Sequence, residues 1–209
     1  MDAHERMAAA ALPALPADGA VLLDDSPVSH RLAALLPADR ELIVVTNSFH
    51  VAGLLSERPR LELRLVGGQL RPGSSAVVGS WSRQALSSSF VDTAFLGADG
   101  VTPSAGASSA DEEVAEFNRA VVAAARRVVV FAGHGALGRR HPAVFAALAD
   151  VDTLVTDADA DPGVLREIVA AGLEPVVARP ARRYSATRVR SHHSNTGTGT
   201  PSISRSTPR

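Results

Sequence analysis

Val91-Asp92-Thr93-Ala94-Phe95-Leu96-Gly97-Ala98-Asp99-Gly100 is the stretch that decides the fold. Val91, Ala94, Phe95 and Leu96 supply apolar bulk, and Gly97 and Gly100 bracket Asp99. A short apolar run bounded by turn residues reads as a buried strand entering a turn. In an open α/β sheet, ligands sit outside the carboxyl ends of the strands. Asp99, with Gly100 beside it, is therefore placed where a carboxylate would meet the hydroxyls of a polar ligand. An ordinary strand-to-loop turn uses the same residue types, so the weight falls on what the neighbouring strand ends carry.

Working outward in both directions, strand and helix signals alternate. Met1 to Leu15 reads as an alanine-rich helix, stopped by Pro16-Ala17-Asp18-Gly19. Ala20 to Asp24 reads as a first strand, and Ser26 caps a helix with Pro27 at its first position. Glu41 to Thr46 reads as a second strand, and Asn47-Ser48 opens a helix to about Glu57. Leu61 to Val66 is a third strand, halted by Gly67-Gly68. A loop or hairpin follows from Gln69 to Ser75, with Val77-Val78 as a short extra strand and Ser80 to Ser88 as a short helix.

Beyond the central stretch, Thr102 to Ala110 reads as a loop of small residues. Asp111 starts a helix through Arg126, with acids in the first turn and arginines in the last, as the helix dipole favours. Val128 to Ala132 suits a strand buried on both faces. Gly133 to His141 is a glycine-rich loop; Asp152 to Thr156, Pro162 to Ala171 and Glu174 to Ala178 read as strand, helix and strand. The alternation predicts an α/β fold: a three-layer, Rossmann-like, mostly parallel sheet with helices on both faces. Residues 1–178 form one domain on this reading, and 179–209, rich in Arg, Ser, Thr and Gly, form a disordered tail.

Composition removes several chemistries. The chain has no cysteine, so thiolate catalysis, disulfides and Cys-rich zinc sites are excluded, in keeping with a cytoplasmic location. All 21 basic residues are arginine, which excludes a Schiff-base or Walker lysine. Seven of them lie between Arg179 and Arg209, so residues 1–178 carry 14 arginines against 22 acids, a net of −8. Such a body is a poor surface for nucleic acid. No apolar run is long enough for a bilayer, and the alanine-rich stretch Met7 to Leu12 lies among acids and proline, unlike a secretory signal.

Four strand ends carry polar groups or glycines: Asp24-Asp25-Ser26 with Ser29 one turn on, Thr46-Asn47-Ser48, Gly67-Gly68, and Asp99-Gly100. Ser26 and Asn47-Ser48 also stand at helix starts, where free N–H groups and hydroxyls favour an anion. Each end alone is an ordinary cap or turn; four on one sheet edge point to a pocket for a hydroxylated small molecule, neutral or anionic. Glu116 is the acid of its helix spaced to reach that pocket. Gly133, Gly135 and Gly138 fit the string G-x-G-x-x-G, but no helix follows as dinucleotide binding requires. Arg139 and Arg140 suit a phosphate clamp better. There is no G-x-S-x-G elbow and no metal-ligand spacing among the seven His, and Trp81 reads as a packing residue. No cofactor or metal is implied.

These residues together resemble a known family. Val44-Val45-Thr46-Asn47-Ser48, Val66-Gly67-Gly68-Gln69-Leu70-Arg71, Val78-Gly79, Ala94 to Gly100, Glu116 with Arg119-Ala120, and Leu137-Gly138-Arg139-Arg140 are similar in order and spacing, over roughly residues 5–178, to the C-terminal effector domain of DeoR-family bacterial transcriptional regulators. The resemblance implies a fold similar to ribose-5-phosphate isomerase and glucosamine-6-phosphate deaminase. It also implies a sensor for a sugar phosphate or related metabolite, working in a homo-oligomeric repressor of sugar metabolism. Ser26 and Ser29 would stand in the phosphate loop, with Asn47, Ser48, Gly67, Gly68, Asp99, Gly100, Glu116 and Arg139 as further ligand-binding residues.

Three positions depart from the family pattern. Pro27 replaces a flexible glycine and removes a donor, and Asn118 and Ala136 stand where lysines are usual. The winged helix-turn-helix that precedes this domain in the family has no counterpart before Ala20, so direct DNA binding by these residues is not expected. An isomerase or deaminase with Asp99 or Glu116 as general base is the enzymatic alternative on the same fold; a purely structural oligomerisation module is the third.

Overall fold

The computed structural model describes residues 1–180. Seven parallel strands make the central sheet: β1 (Gly19–Leu23), β2 (Leu42–Thr46), β3 (Leu61–Leu65), β6 (Thr93–Gly97), β9 (Val128–Phe131), β11 (Thr153–Asp157) and β12 (Val176–Ala178). Two further groups are antiparallel: the hairpin β4 (Gln69–Leu70) with β5 (Val77–Val78), and the small sheet β7 (Gly100–Thr102), β8 (Gly106–Ser109) and β10 (Ala143–Ala146). The helices are α1 (Ala3–Ala11), α2 (Pro27–Leu35), α3 (Phe49–Leu55), α4 (Ser80–Ser87), α5 (Glu112–Ala124) and α6 (Pro162–Ala170).

Side-chain alternation along the strands divides the interior into two cores. Val21, Leu23, Phe95 and Val129 pack with Met7 of α1, Leu32 of α2 and Val51 of α3. Leu22, Leu96, Val128 and Val130 pack with Leu86 of α4, Phe117 of α5 and Ile168 of α6. The period of two sends successive residues to opposite faces, so helices cover both and the molecule has the expected three layers. Phe95 and Phe131 stack in the first core with ring centroids 6.1 Å apart.

The sheet runs β12-β11-β9-β6-β1-β2-β3. Chain progression therefore reverses between β1 and β6, which pair from Val21–Thr93 to Leu23–Phe95. At such a switch point the loops leaving neighbouring strands diverge to opposite faces and open a crevice at the carboxyl edge.

Two regions differ from the sequence reading. Thr102 to Ala110 is not a loop: β7 and β8 pair antiparallel, and β8 also pairs with β10, in a region given no element above. Gly106, Ala107, Ser108 and Ser109 have weak strand preference, but all four face the interior or another strand, and context overrides propensity. Gly106 turns the hairpin at φ +75°, where an added Cβ would lie 2.1 Å from the Ala146 carbonyl oxygen. The long helix also stops early, at Ala124. There the Val91 N–H donates to the Ala124 carbonyl and the Arg126 N–H to the Val91 carbonyl, drawing the chain into extended form. Arg126 then pairs with Asp92 at 3.2 Å instead of closing the helix. Of the expected disordered tail, residues 181–209 lie outside the described residues.

Candidate functional site

A cavity of about 540 Å³ opens at the carboxyl edge of the sheet, at the switch point between β1 and β6. Asp24 is the residue that builds its floor. It follows β1 directly and is 6% exposed. One oxygen, Oδ1, accepts the Ser26 N–H at 3.0 Å and the Ser29 hydroxyl at 2.6 Å; Oδ2 accepts the Gly97 N–H at 2.7 Å. Burial pushes the Asp24 carboxyl above the ordinary range, against the bonds from Ser26, Ser29 and Gly97. Gly97 has to be glycine here, since an added Cβ would lie 2.5 Å from the Ser26 Cβ.

Asp25 ties the next three elements together. Its Oδ1 accepts from the Ser48 hydroxyl at 2.5 Å and meets His30 Nε2 at 3.0 Å, and its Oδ2 accepts the Ser75 N–H at 3.1 Å. Burial acts to raise this carboxyl, but the bonds from His30, Ser48 and Ser75 outweigh it and hold it below the usual range. Ser48 in turn accepts the Val51 N–H and caps α3. The His30 and His50 rings lie 4.3 Å apart behind this cluster.

The opposite wall comes from β6, β8 and α5. Asp99 Oδ2 accepts the Ser109 hydroxyl at 2.9 Å and the Ala110 N–H at 2.8 Å. Asp111 caps α5 through the Val114 N–H at 3.1 Å, and its other oxygen accepts from Arg71 Nε at 2.7 Å. Partial burial opposes ionisation of Asp111, but Val114 and Arg71 prevail and hold it below the usual range. That ion pair joins the β4–β5 hairpin to the helix.

Two amides in the lining have groups with no hydrogen-bond partner among the described residues. Asn47, 3% exposed, donates through Nδ2 to the Val77 carbonyl at 2.9 Å, but its Oδ1 has no partner. Asn118, 1% exposed on α5, has an unpartnered Nδ2. Buried polar groups are normally paired, and an unpaired one costs about 1–3 kcal/mol. A hydroxyl, which both donates and accepts, is the kind of group that matches the unmet need of either amide.

The expected site residues divide accordingly. Ser26, Asn47 and Asp99 line the cavity. Ser29 and Ser48 are fully buried just behind it, holding Asp24 and Asp25. Gly100 is a packing position, where an added Cβ would lie 2.6 Å from the Arg139 carbonyl oxygen. Gly67 and Gly68 do not line it; Gly68 borders a separate depression of about 250 Å³ beside Trp81. Trp81 is not a packing residue, for it is 76% exposed there. Glu116 does not line the cavity either: it forms an ion pair with Arg83 of α4. Arg139 and Arg140 are exposed and line no part of the cavity, so the expected clamp does not form there.

Asp24 and Asp25 were not named as ligand-binding residues from the sequence, yet they carry a signal there, two acids directly after an apolar strand. Asn118 had another, an amide next to Phe117 and Val121 in the buried stripe of α5. The Arg71–Asp111 pair spans 40 residues of sequence and had none.

Outside the cavity, His134, Asp157 and Asp159 place one ligand atom each within 4.8 Å of one another. Asp157 spends its oxygens on the His134 and Asp159 N–H groups, and the His134 ring sits 3.0 Å away, so the cluster closes the loop after β9 onto β11. No helix among the described residues is long and apolar enough to cross a membrane.

Residues 1–158 match the family described as the DeoR C terminal sensor domain. Similar proteins include the HTH-type transcriptional regulator GlpR of Haloferax volcanii, 31% identical over 156 residues, which are 75% of this chain and 61% of that protein. The HTH-type transcriptional repressor GlcR of Bacillus subtilis is 34% identical over 137 residues, 66% of this chain and 52% of that protein. The glycerol-3-phosphate regulon repressor of Escherichia coli is 25% identical over 154 residues, 74% of this chain and 61% of that protein. The chain thus spans roughly half to three-fifths of the length of these relatives. Among solved structures, ribose 5-phosphate isomerase from Methanocaldococcus jannaschii matches with a TM-score of 0.46 and 17% identity, covering 65% of this chain and 53% of that one. Ribose 5 phosphate isomerase A from Neisseria gonorrhoeae matches with a TM-score of 0.44 and 14% identity, covering 64% and 52%. By its sequence match over residues 1–158, the chain belongs to the DeoR C-terminal sensor-domain family.

Proposed function

We propose that this domain is the effector-sensing part of a transcriptional regulator of sugar metabolism, and that its effector, a sugar, sugar phosphate or related metabolite, binds in the cavity at the β1–β6 switch point. The observation that carries this reading is the set of groups converging on that cavity. Asp99 and Asp111 offer acceptors, and Asn47 and Asn118 hold buried amide groups without partners. Family membership supports the sensing role. The named relatives are transcriptional regulators, one of them of a glycerol-3-phosphate regulon.

Binding is coupled to the rest of the protein through the groups that border the cavity. Asp25 links α2, α3 and Ser75 in the turn before β5, and Arg71–Asp111 links the hairpin to α5. A ligand with different affinity for two arrangements of these elements shifts the population between them. Oligomerisation belongs to the same proposal. Exposed Phe49, Leu70 and Trp81, on or near the β4–β5 hairpin, supply the apolar surface for it.

A thermal-shift screen over free and phosphorylated sugars tests the reading. A saturable rise in Tm, as linkage requires of a native-state ligand, that disappears in Asp99→Ala supports it. Turnover of ribose-5-phosphate or glucosamine-6-phosphate would replace it with the enzymatic alternative. For that alternative Glu116 is poorly placed, being committed to Arg83 away from the cavity.

A further inference from the structure

We infer that the effector carries no phosphate, and that the cavity is built for an uncharged polyhydroxylated molecule, a free sugar or polyol. This rests on the cavity being the effector site. The first ground is charge. Asp24, Asp25, Asp99 and Asp111 all line the cavity, while among the described residues Arg71 is the one arginine that does. Arg71 is already bound to Asp111 at 2.7 Å. A phosphate monoester placed there would face like charges in a partly desolvated site, where such repulsion is least screened.

The second ground is the shortage of donors for an anion. Helix starts attract anions through free N–H groups, but those of α2 are spoken for. Pro27 has none, the Ser26 N–H donates to Asp24 and the Ser29 N–H to Ser26 Oγ, leaving at most the Val28 N–H. At the start of α5, Asp111 itself holds the position an anion would take, accepting the Val114 N–H.

The third ground is what the cavity does offer. Among the described residues Asn47 Oδ1 has no donor and Asn118 Nδ2 no acceptor, and both residues are more than nine-tenths buried in the lining. The carboxylates are acceptors as well. Adjacent hydroxyls on a carbon chain or ring supply donors and acceptors together, without adding charge to an acidic site.

Isothermal titration calorimetry with matched pairs tests this directly: ribose and ribose-5-phosphate, glucose and glucose-6-phosphate, glycerol and glycerol-3-phosphate, with inorganic phosphate as competitor. We expect a neutral member to bind and its phosphorylated counterpart to bind at least about tenfold more weakly, a clear difference in free-energy terms. Inorganic phosphate should not displace the neutral ligand. Asp111→Asn, which keeps the α5 cap and frees Arg71, should narrow the gap between the two members; Asp99→Asn should weaken the neutral one. If the phosphorylated member binds more tightly, or inorganic phosphate competes, the inference is wrong while the sensing role stands. If neither class binds the folded protein, both fall together.

Discussion

At the amino-terminal rim of the parallel sheet, Asp92 accepts the Ala20 N–H at 2.9 Å and pairs with Arg126, and Asp152 accepts the Val128 N–H at 2.8 Å. Each ties one strand to its neighbour. At the carboxyl rim Asp24 makes the same kind of tie, from β1 to Gly97 of β6, but Asp25, Asp99 and Asp111 surround a cavity of about 540 Å³, and two buried amides beside them have unpaired groups. One rim spends its carboxylates on cohesion; the other leaves polar capacity unspent. The strands are the same, so the difference comes from topology. The order reverses between β1 and β6, and only at the carboxyl edge do the departing loops separate.

Substitutions at the two rims should separate stability from binding. The largest effect is expected from Asp24→Ala, which strands the Gly97 and Ser26 N–H groups and the Ser29 hydroxyl. Chemical denaturation should show a loss of about 3 kcal/mol, the cost of leaving buried donors unpaired, with ligand response lost as well. Gly97→Ala and Gly19→Ala form the next pair. Their added Cβ atoms would meet Ser26 at 2.5 Å and Asp92 at 2.3 Å. Both should destabilise by about 1–3 kcal/mol through overpacking, but Gly97→Ala alone should also weaken ligand binding. Equal binding in the two variants would dissolve the distinction between the rims.

A smaller contrast sets Asp92→Ala against Asp99→Ala. The first should cost about 1–2 kcal/mol through the unpaired Ala20 N–H and leave the ligand-induced rise in Tm intact. The second should cost less, because the Ala110 N–H that it frees is exposed, and should abolish that rise. The finest effect is in pH. Asp25 is held below its ordinary range, so its contribution to stability is present above about pH 4 and lost as pH falls through its lower native value. Asp24, raised by burial, acts in the opposite sense, its share being lost as pH rises through its native value. The gap in Tm between the parent protein and Asp25→Asn should therefore close in acid; a gap that widened below pH 4 would contradict the Asp25 network.

The architecture was legible because its strands are short apolar runs and its helices start with recognisable caps. Ser26, Ser48 and Asp111 cap α2, α3 and α5 as expected. The small antiparallel sheet was not, since Gly106 to Ser109 become a strand only through partners on β7 and β10. The site was partly legible. Asn47 and Asp99 announce themselves as polar groups ending apolar strands, a local signal. Arg139 lies outside the cavity lining, and a glycine-rich loop does not reveal which way its side chains turn. The Arg71–Asp111 pair and the presence of Asn47 and Asn118 in the lining of one cavity depend on tertiary folding across long stretches of chain, which local periodicity does not encode.

The carboxyl rim, and not the amino rim, is expected to receive the effector. Backbone amide shifts of isotope-labelled protein, followed during titration with the sugar that raises Tm most, test it most directly. Saturable changes are expected at Ser26, Asn47, Gly97, Ala98 and Ala110, with Gly19, Ala20 and Asp92 unmoved. Changes concentrated at those last three residues, or spread evenly over both rims, would contradict it.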